Sequence, residues 1–238
     1  MGLTPRTPFW RKRLPPGGTT TTSHPRASGG GLPRRIVLTG GPGAGKTAVL
    51  EFLRKAVCEC VVILPEAAGI VFGGGFPREE TAGARRAAQR AIYFVQRELE
   101  AYGDAREAGV VLCDRGMIDG AAYWPGPGDF WAAIGSARDD VLKRYKAVIH
   151  LRVPGTDNGY GRHNPLRTES AEEALAIDER ILEAWSGHPH RHVIPASDDF
   201  MTKVAQSVEA LKTELPAPCS EHLHVSVALT PQGGARRS

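Results

Sequence analysis

The tightest constraint on this chain is the octapeptide Gly40-Gly41-Pro42-Gly43-Ala44-Gly45-Lys46-Thr47, which fits G-x-x-x-x-G-K-[ST]. It follows the short apolar run at 35–39 (RIVLT) directly. It also opens a helical pattern over 47–57, with Ala48, Leu50, Phe52 and Leu53 toward one side. A strand, a glycine loop and a helix start in succession make a phosphate cradle, because glycines let backbone N–H groups turn into one concavity and the helix dipole favours negative charge there. Gly40, Gly41, Pro42, Gly43, Ala44, Gly45, Lys46, Thr47 and Ala48 are therefore expected around the phosphates of ATP. Lys46 should reach the β- and γ-phosphates, and the Thr47 hydroxyl should ligate Mg2+. An ordinary glycine turn gives no reason for Lys-Thr at these two places.

Beyond this loop, short apolar runs alternate with helical patterns. Strands are expected at 61–64 (VVIL), 110–113, 148–151 (VIHL) and 192–194. A long helix is expected from Pro77 to Gly103, and others at about 137–145, 170–186 and 199–214, with Ser170 and Glu173 as a capping box. Strands apolar on both faces and separated by helices imply an α/β P-loop NTPase, with a doubly wound five-stranded parallel sheet and helices on both faces.

The formal charge of +4 over 238 residues belongs to the ends. Residues 1–35 hold seven bases and no acid, whereas 36–215 hold 21 bases against 25 acids. We expect a disordered basic tail over 1–33, one domain over 34–215 and a flexible tail over 216–238. The tail reads as a solvated arm, so no nucleic-acid partner is expected. The four cysteines, at 58, 60, 113 and 219, show no C-x-x-C pair and no zinc spacing, so neither a disulfide framework nor a metal site is expected from them. No apolar run reaches the roughly 18 residues of a membrane span. A cytoplasmic protein, with oligomerisation open, is the expectation.

Asp114 ends the third strand in the stretch VVLCDRG, where P-loop proteins place the carboxylate that holds Mg2+. Hydrolytic motors need a group that positions water, commonly a glutamate just after this aspartate. Here that place is Arg115. Guanine-specific and transporter-type signatures are absent, and little chain follows the fifth strand for a helical lid domain, which leaves the small-kinase class. Glu66 follows the second strand, and in a parallel sheet the strand ends face one crevice, so Glu66 and Asp114 can converge near the γ-phosphate. A hydroxyl acceptor must lose a proton as it attacks phosphorus, and either carboxylate can take it. Arg115 beside the reacting centre can hold a phosphate or the acceptor. The polar, glycine-rich segment 154–168 contributes Arg162 and Arg167 as candidate phosphate clamps.

Weaker patches surround these residues. Gly73-Gly74-Gly75 suggests a mobile acceptor loop. Arg85, Arg86, Gln89 and Arg90 form a polar stripe on the long helix. Tyr123, Trp124, Phe130 and Trp131 flank a Pro-Gly-Pro-Gly turn and read as a local hydrophobic cap, and His188 and His190 as a surface turn.

With GGPGAGKT, PEAAG, CDRG, NPLRTES, AIDERILEAW and GHP in view, the chain resembles, over about 34–214, a small P-loop AAA-type ATPase/kinase family. That family includes the ribosylnicotinamide kinase domain of bacterial NAD-metabolism proteins. The resemblance implies a nucleoside-kinase-like sheet, ATP and Mg2+, with Lys46 and Thr47 on phosphate and magnesium. Glu66 and Asp114-Arg115 then match the positions that act on the acceptor hydroxyl and bound phosphates. The expected activity is transfer of the γ-phosphate of ATP to a hydroxyl of a small nucleoside-like acceptor. A regulatory ATP-binding switch and a nucleoside monophosphate kinase are the alternatives.

Overall fold

A computed structural model describes residues 33–106, 108–155, 170–197 and 199–223. Five parallel strands, β1 (Arg34–Thr39), β2 (Val61–Leu64), β3 (Val110–Asp114), β4 (Ala147–Leu151) and β5 (Arg191–Ile194), form one sheet in the order β2-β3-β1-β4-β5. β1 is central, so the loop that follows it opens at the middle of the sheet's carboxyl edge, where the winding direction reverses.

Side chains of a strand alternate between faces, and here both faces are dry. Ile36 and Leu38 of β1 join one cluster with Leu50 and Leu53 of helix α1 (Lys46–Ala56). Val37 points into the second cluster with Val111, Cys113, Val148 and Trp185. This continuous burial is why the strands read as unbroken apolar runs. Helix α2 spans Ala67–Gly73, α3 Ala82–Asp104, α4 Asp119–Ala122, α5 Phe130–Ile134 and α6 Arg138–Leu142. Helices α7 (Ala171–Ala184), α8 (Phe200–Glu214) and α9 (Ala217–His222) complete the described elements. The capping box of α7 is present as expected, with both reciprocal bonds between Ser170 and Glu173.

Four expectations are corrected. The long helix starts at Ala82, not near Pro77, because the Thr81 side chain accepts from Ala84 N at 3.2 Å and so ends the orphaned first turn. Gly73 closes α2 and is no part of a loop; Gly74 N bonds Ile70 O at 2.9 Å as the helix stop. The folded region extends past 215, since α9 buries Cys219 and Leu223 against the first core cluster. His188 is buried: its Nε2 meets the Tyr145 carbonyl at 3.0 Å, and desolvation lowers its pKa. The aromatic cap stands as read, with Trp124, Phe130 and Trp131 packed edge to face beside the second cluster. The N-terminal tail, apart from Pro33, and the segment 156–169 with Arg162 and Arg167 lie outside the described residues.

Leu38 is fully buried on the central strand. Leu38→Ala should cost roughly 2–5 kcal/mol, read as a lower urea midpoint at unchanged slope.

Candidate active site

The loop after β1 is a backbone device before it is a chemical one. Gly40 and Gly45 take φ of 135° and 94°, which side chains rarely adopt. A Cβ on Gly40 would lie 2.1 Å from Leu151 O, and one on Gly41 would lie 2.8 Å from Asp178 Cβ. The loop is thus pressed against β4 and α7 from behind. Gly41 N donates to Asp178 Oδ1 at 2.7 Å, and the same carboxylate takes His150 Nε2 at 2.9 Å, Arg152 Nε at 2.7 Å and Val153 N at 3.3 Å. Burial pushes the Asp178 carboxyl up, but the His150 contact and the backbone N–H groups outweigh it and hold it below its usual value. Lys203 of α8 braces the loop from the other side, donating to Ala44 O at 3.1 Å and Arg152 O at 2.9 Å.

In front of the loop lies a cavity of about 1360 Å³. Pro42, Gly43, Gly45, Lys46, Thr47 and Ala48 form one side of it, with Thr47 and Ala48 exposed to it. Gly40, Gly41 and Ala44 lie buried behind that wall and shape the loop. The Lys46 ammonium donates to Gly40 O and Gly41 O at 2.8 Å each, folded back over its own loop. Burial and the neighbouring Arg115 bring its pKa down to about 7.

Across the cavity the ends of β2 and β3 bring Glu66, Asp114 and Arg115 together, as the parallel sheet requires. Arg115 has φ 68°, the one non-glycine among the described residues in the left-handed region, which costs on the order of 1–2 kcal/mol. The side chain explains it. Nε donates to Glu66 Oε1 at 2.7 Å, Nη1 to Asp119 Oδ2 at 3.1 Å and to Gly40 O at 3.2 Å, and the guanidinium lies 5.7 Å from the centre of the Tyr123 ring. Burial raises the Glu66 pKa, but Arg115 outweighs that, so Glu66 is held ionised while its side chain stays 38% exposed to the cavity. Asp114 behaves oppositely. It accepts no hydrogen bond from the described residues, and burial plus the Glu66 charge push it up to about 6.

Two acids escaped the sequence reading. Asp119 is buried one helical turn beyond Arg115 and accepts from Thr39 Oγ1 at 2.5 Å and Trp185 Nε1 at 2.7 Å, so it ties β1 and α7 to Arg115. Its i,i+4 spacing from Arg115 was the available signal. Asp178 had none beyond its place in AIDERILEAW. Away from the loop the cavity is walled by Phe72, Phe76, Arg78, Arg85, Gln89 and Tyr123, among others. Arg86 faces elsewhere: it donates to the carbonyls of Pro125 and Pro127 and lies over the Trp124 ring. Arg90 is not on the cavity wall.

The magnesium expectation can be tested against these residues. Thr47 offers a hydroxyl to the cavity, and Asp114 is a carboxylate destabilised by its neighbours, which a cation would relieve. The pair fits a divalent ion.

A sheet of this order, with a glycine loop after its central strand and two acids and an arginine at the neighbouring strand ends, defines the P-loop NTPase fold. Comparison with known proteins places the chain within that class. The model of the AAA domain family matches residues 35–203, and the chain belongs to that family. Deoxyadenosine kinase from M. mycoides with bound dATP is structurally similar, with TM-score 0.52 and 16% identity over 75% of this chain and 98% of that one. Thymidylate kinase from Candida albicans aligns with TM-score 0.49 and 11% identity over 77% of this chain and 94% of its own. No curated protein sequence matches the chain.

The depressed Lys46 pKa has a stability consequence. Between pH 7 and its ordinary 10.5 the unfolded chain holds a proton there that the folded chain lacks, so stability rises with pH across that window. The stability advantage of wild type over Lys46→Met should therefore grow by roughly 1–3 kcal/mol from pH 7 to pH 9 in paired denaturant titrations.

Proposed function

We propose that the protein is an ATP-dependent phosphotransferase that moves the γ-phosphate of ATP onto a hydroxyl of a nucleoside-like acceptor. The observation that carries this is Glu66: an ionised carboxylate, oriented by Arg115, on the wall of the same cavity as Lys46 and Thr47. ATP would lie with its phosphates on the loop from Pro42 to Ala48. Lys46 would then leave its carbonyl partners for the β- and γ-oxygens, whose charge favours its protonated form. Thr47 and Asp114 would hold Mg2+, which neutralises charge developing on the transferred group. As the acceptor oxygen bonds to phosphorus, its proton passes to Glu66 and the bond to the ADP oxygen breaks. Arg115 fixes the base and faces the charge that spreads over the phosphoryl oxygens. Phe72, Phe76 and Tyr123 offer ring faces to a flat base, and Gln89 a polar edge. Arg162 and Arg167 are assigned to the phosphates by their place in the sequence.

The likeness to deoxyadenosine kinase supports this reading at the level of fold, and nicotinamide riboside belongs in the acceptor panel because of the family resemblance. A nucleoside monophosphate acceptor is the second reading, favoured by Arg78, Arg85 and Arg180 on the acceptor side of the cavity.

Purified protein with Mg-ATP should release ADP when, and only when, the matching nucleoside is present. Equal ADP release with and without every acceptor of a broad panel would instead mark a regulatory ATPase switch. Glu66→Gln, confirmed folded by circular dichroism, should lower kcat by about 10²-fold or more with a hydroxyl acceptor. A monophosphate acceptor, already an anion, would leave the variant near wild-type rate.

A further inference from the structure

At the opposite end of the sheet from the cavity, three cysteines that are far apart in sequence meet. Cys58 and Cys60 lie in the turn between α1 and β2, immediately before Val61. Cys219 comes from α9, 159 residues after Cys60. Their sulfurs all lie within 4.8 Å of one another. Cys219 is buried in the first core cluster, and the other two are half-buried against it. Nothing in the sequence signalled this grouping, because Cys-x-Cys alone is no zinc spacing and its partner stands at the other end of the chain.

We propose that Cys58, Cys60 and Cys219 hold a zinc ion that pins α9 to the base of the sheet. Disulfide chemistry alone does not account for the arrangement. The three sulfurs lie close together, and one sulfur makes one disulfide bond, so any single disulfide among them would leave the third thiol unpaired. One thiophilic cation satisfies all three sulfurs at once, as thiolates, each giving up its proton to solvent on binding. Zinc fits the setting: it takes Cys ligands in closed structural sites and needs no redox partner. The fourth position falls to water or another donor.

The site's role is structural. Glu66 lies beyond the far end of β2 from Cys60, and β2 alone spans roughly 13 Å. What the ion would do is close a loop containing nearly the whole domain and fix a six-residue helix that is too short to hold itself. Cys113, buried within β3, is not part of this group.

Untagged full-length protein purified under reducing conditions without chelator should contain about one zinc per chain by elemental mass spectrometry. Cobalt substituted for it should show the intense visible bands of tetrahedral thiolate coordination. Cys58→Ser and Cys219→Ser should each lose the metal and lower Tm by roughly 5–15 °C. Cys113→Ser should retain the metal. ATP affinity of the Cys58→Ser variant at 25 °C should stay within about twofold of wild type. Should Cys219→Ser fail to fold, the wild-type cobalt spectrum and the loop variant Cys58→Ser still decide the matter. Protein that arrives without metal and takes up neither zinc nor cobalt overturns the proposal. So does a Cys58–Cys60 or Cys60–Cys219 disulfide that persists in fresh reductant.

Discussion

The guanidinium of Arg115 is the contact on which the candidate site depends. It joins the end of β2 through Glu66, the loop after β1 through Gly40 O, and α4 through Asp119, while its own backbone N–H bonds Leu38 O at 3.0 Å. Lysine would not substitute: its single ammonium cannot span Glu66 and Asp119 in the fixed fork that a guanidinium supplies. The left-handed backbone at this residue is what turns the side chain back across the strand ends, so local strain is offset by three charge-assisted bonds.

The same contact sets the carboxylates apart electrostatically. Glu66 and Asp119 share Arg115, and Asp114, at the end of β3, is left with a raised pKa and no side-chain hydrogen bond among the described residues. An acid held ionised and oriented suits proton transfer, whereas an acid destabilised by its neighbours suits a cation. Environment, not residue type, separates them. Lys46 completes the balance, since a buried amine brought down to about 7 gains most from an arriving anion. The cavity wall thus carries a lysine of lowered pKa at one side and a carboxylate of raised pKa at the other.

What was legible in the sequence was local. The strand–glycine–helix succession of the phosphate loop, the Ser170 capping box and the unbroken apolar strands are each specified within a few neighbours. The expectation that the ends of β2 and β3 converge followed from parallel pairing alone, and it brought Glu66 to Arg115 across 49 positions. Illegible were the contacts without a pattern: Asp119 to Thr39 across 80 positions and Asp178 to Gly41 across 137. Helix α2 was hidden because seven residues with a glycine at each end of GIVFG carry too little period to read. The start of α3 went astray because Pro77 is an equally good first-turn signal, and only the Thr81 bond to Ala84 N decides between them.

Asp178 shows why a phosphate loop needs more than its glycines. Glycine makes the loop possible and also leaves it free, because nothing in its own side chains holds one conformation. The buried Asp178 removes that freedom by accepting the Gly41 N–H while His150, Arg152 and Val153 satisfy its remaining oxygen capacity. The amide that needs fixing is thereby bonded to a carboxylate that is itself fixed by β4 and the residues after it. Lys203 repeats the logic from α8 at Ala44 O. The conformation of the loop is consequently held by the last third of the chain, and a change at Asp178 or Lys203 would loosen the loop without lying in it.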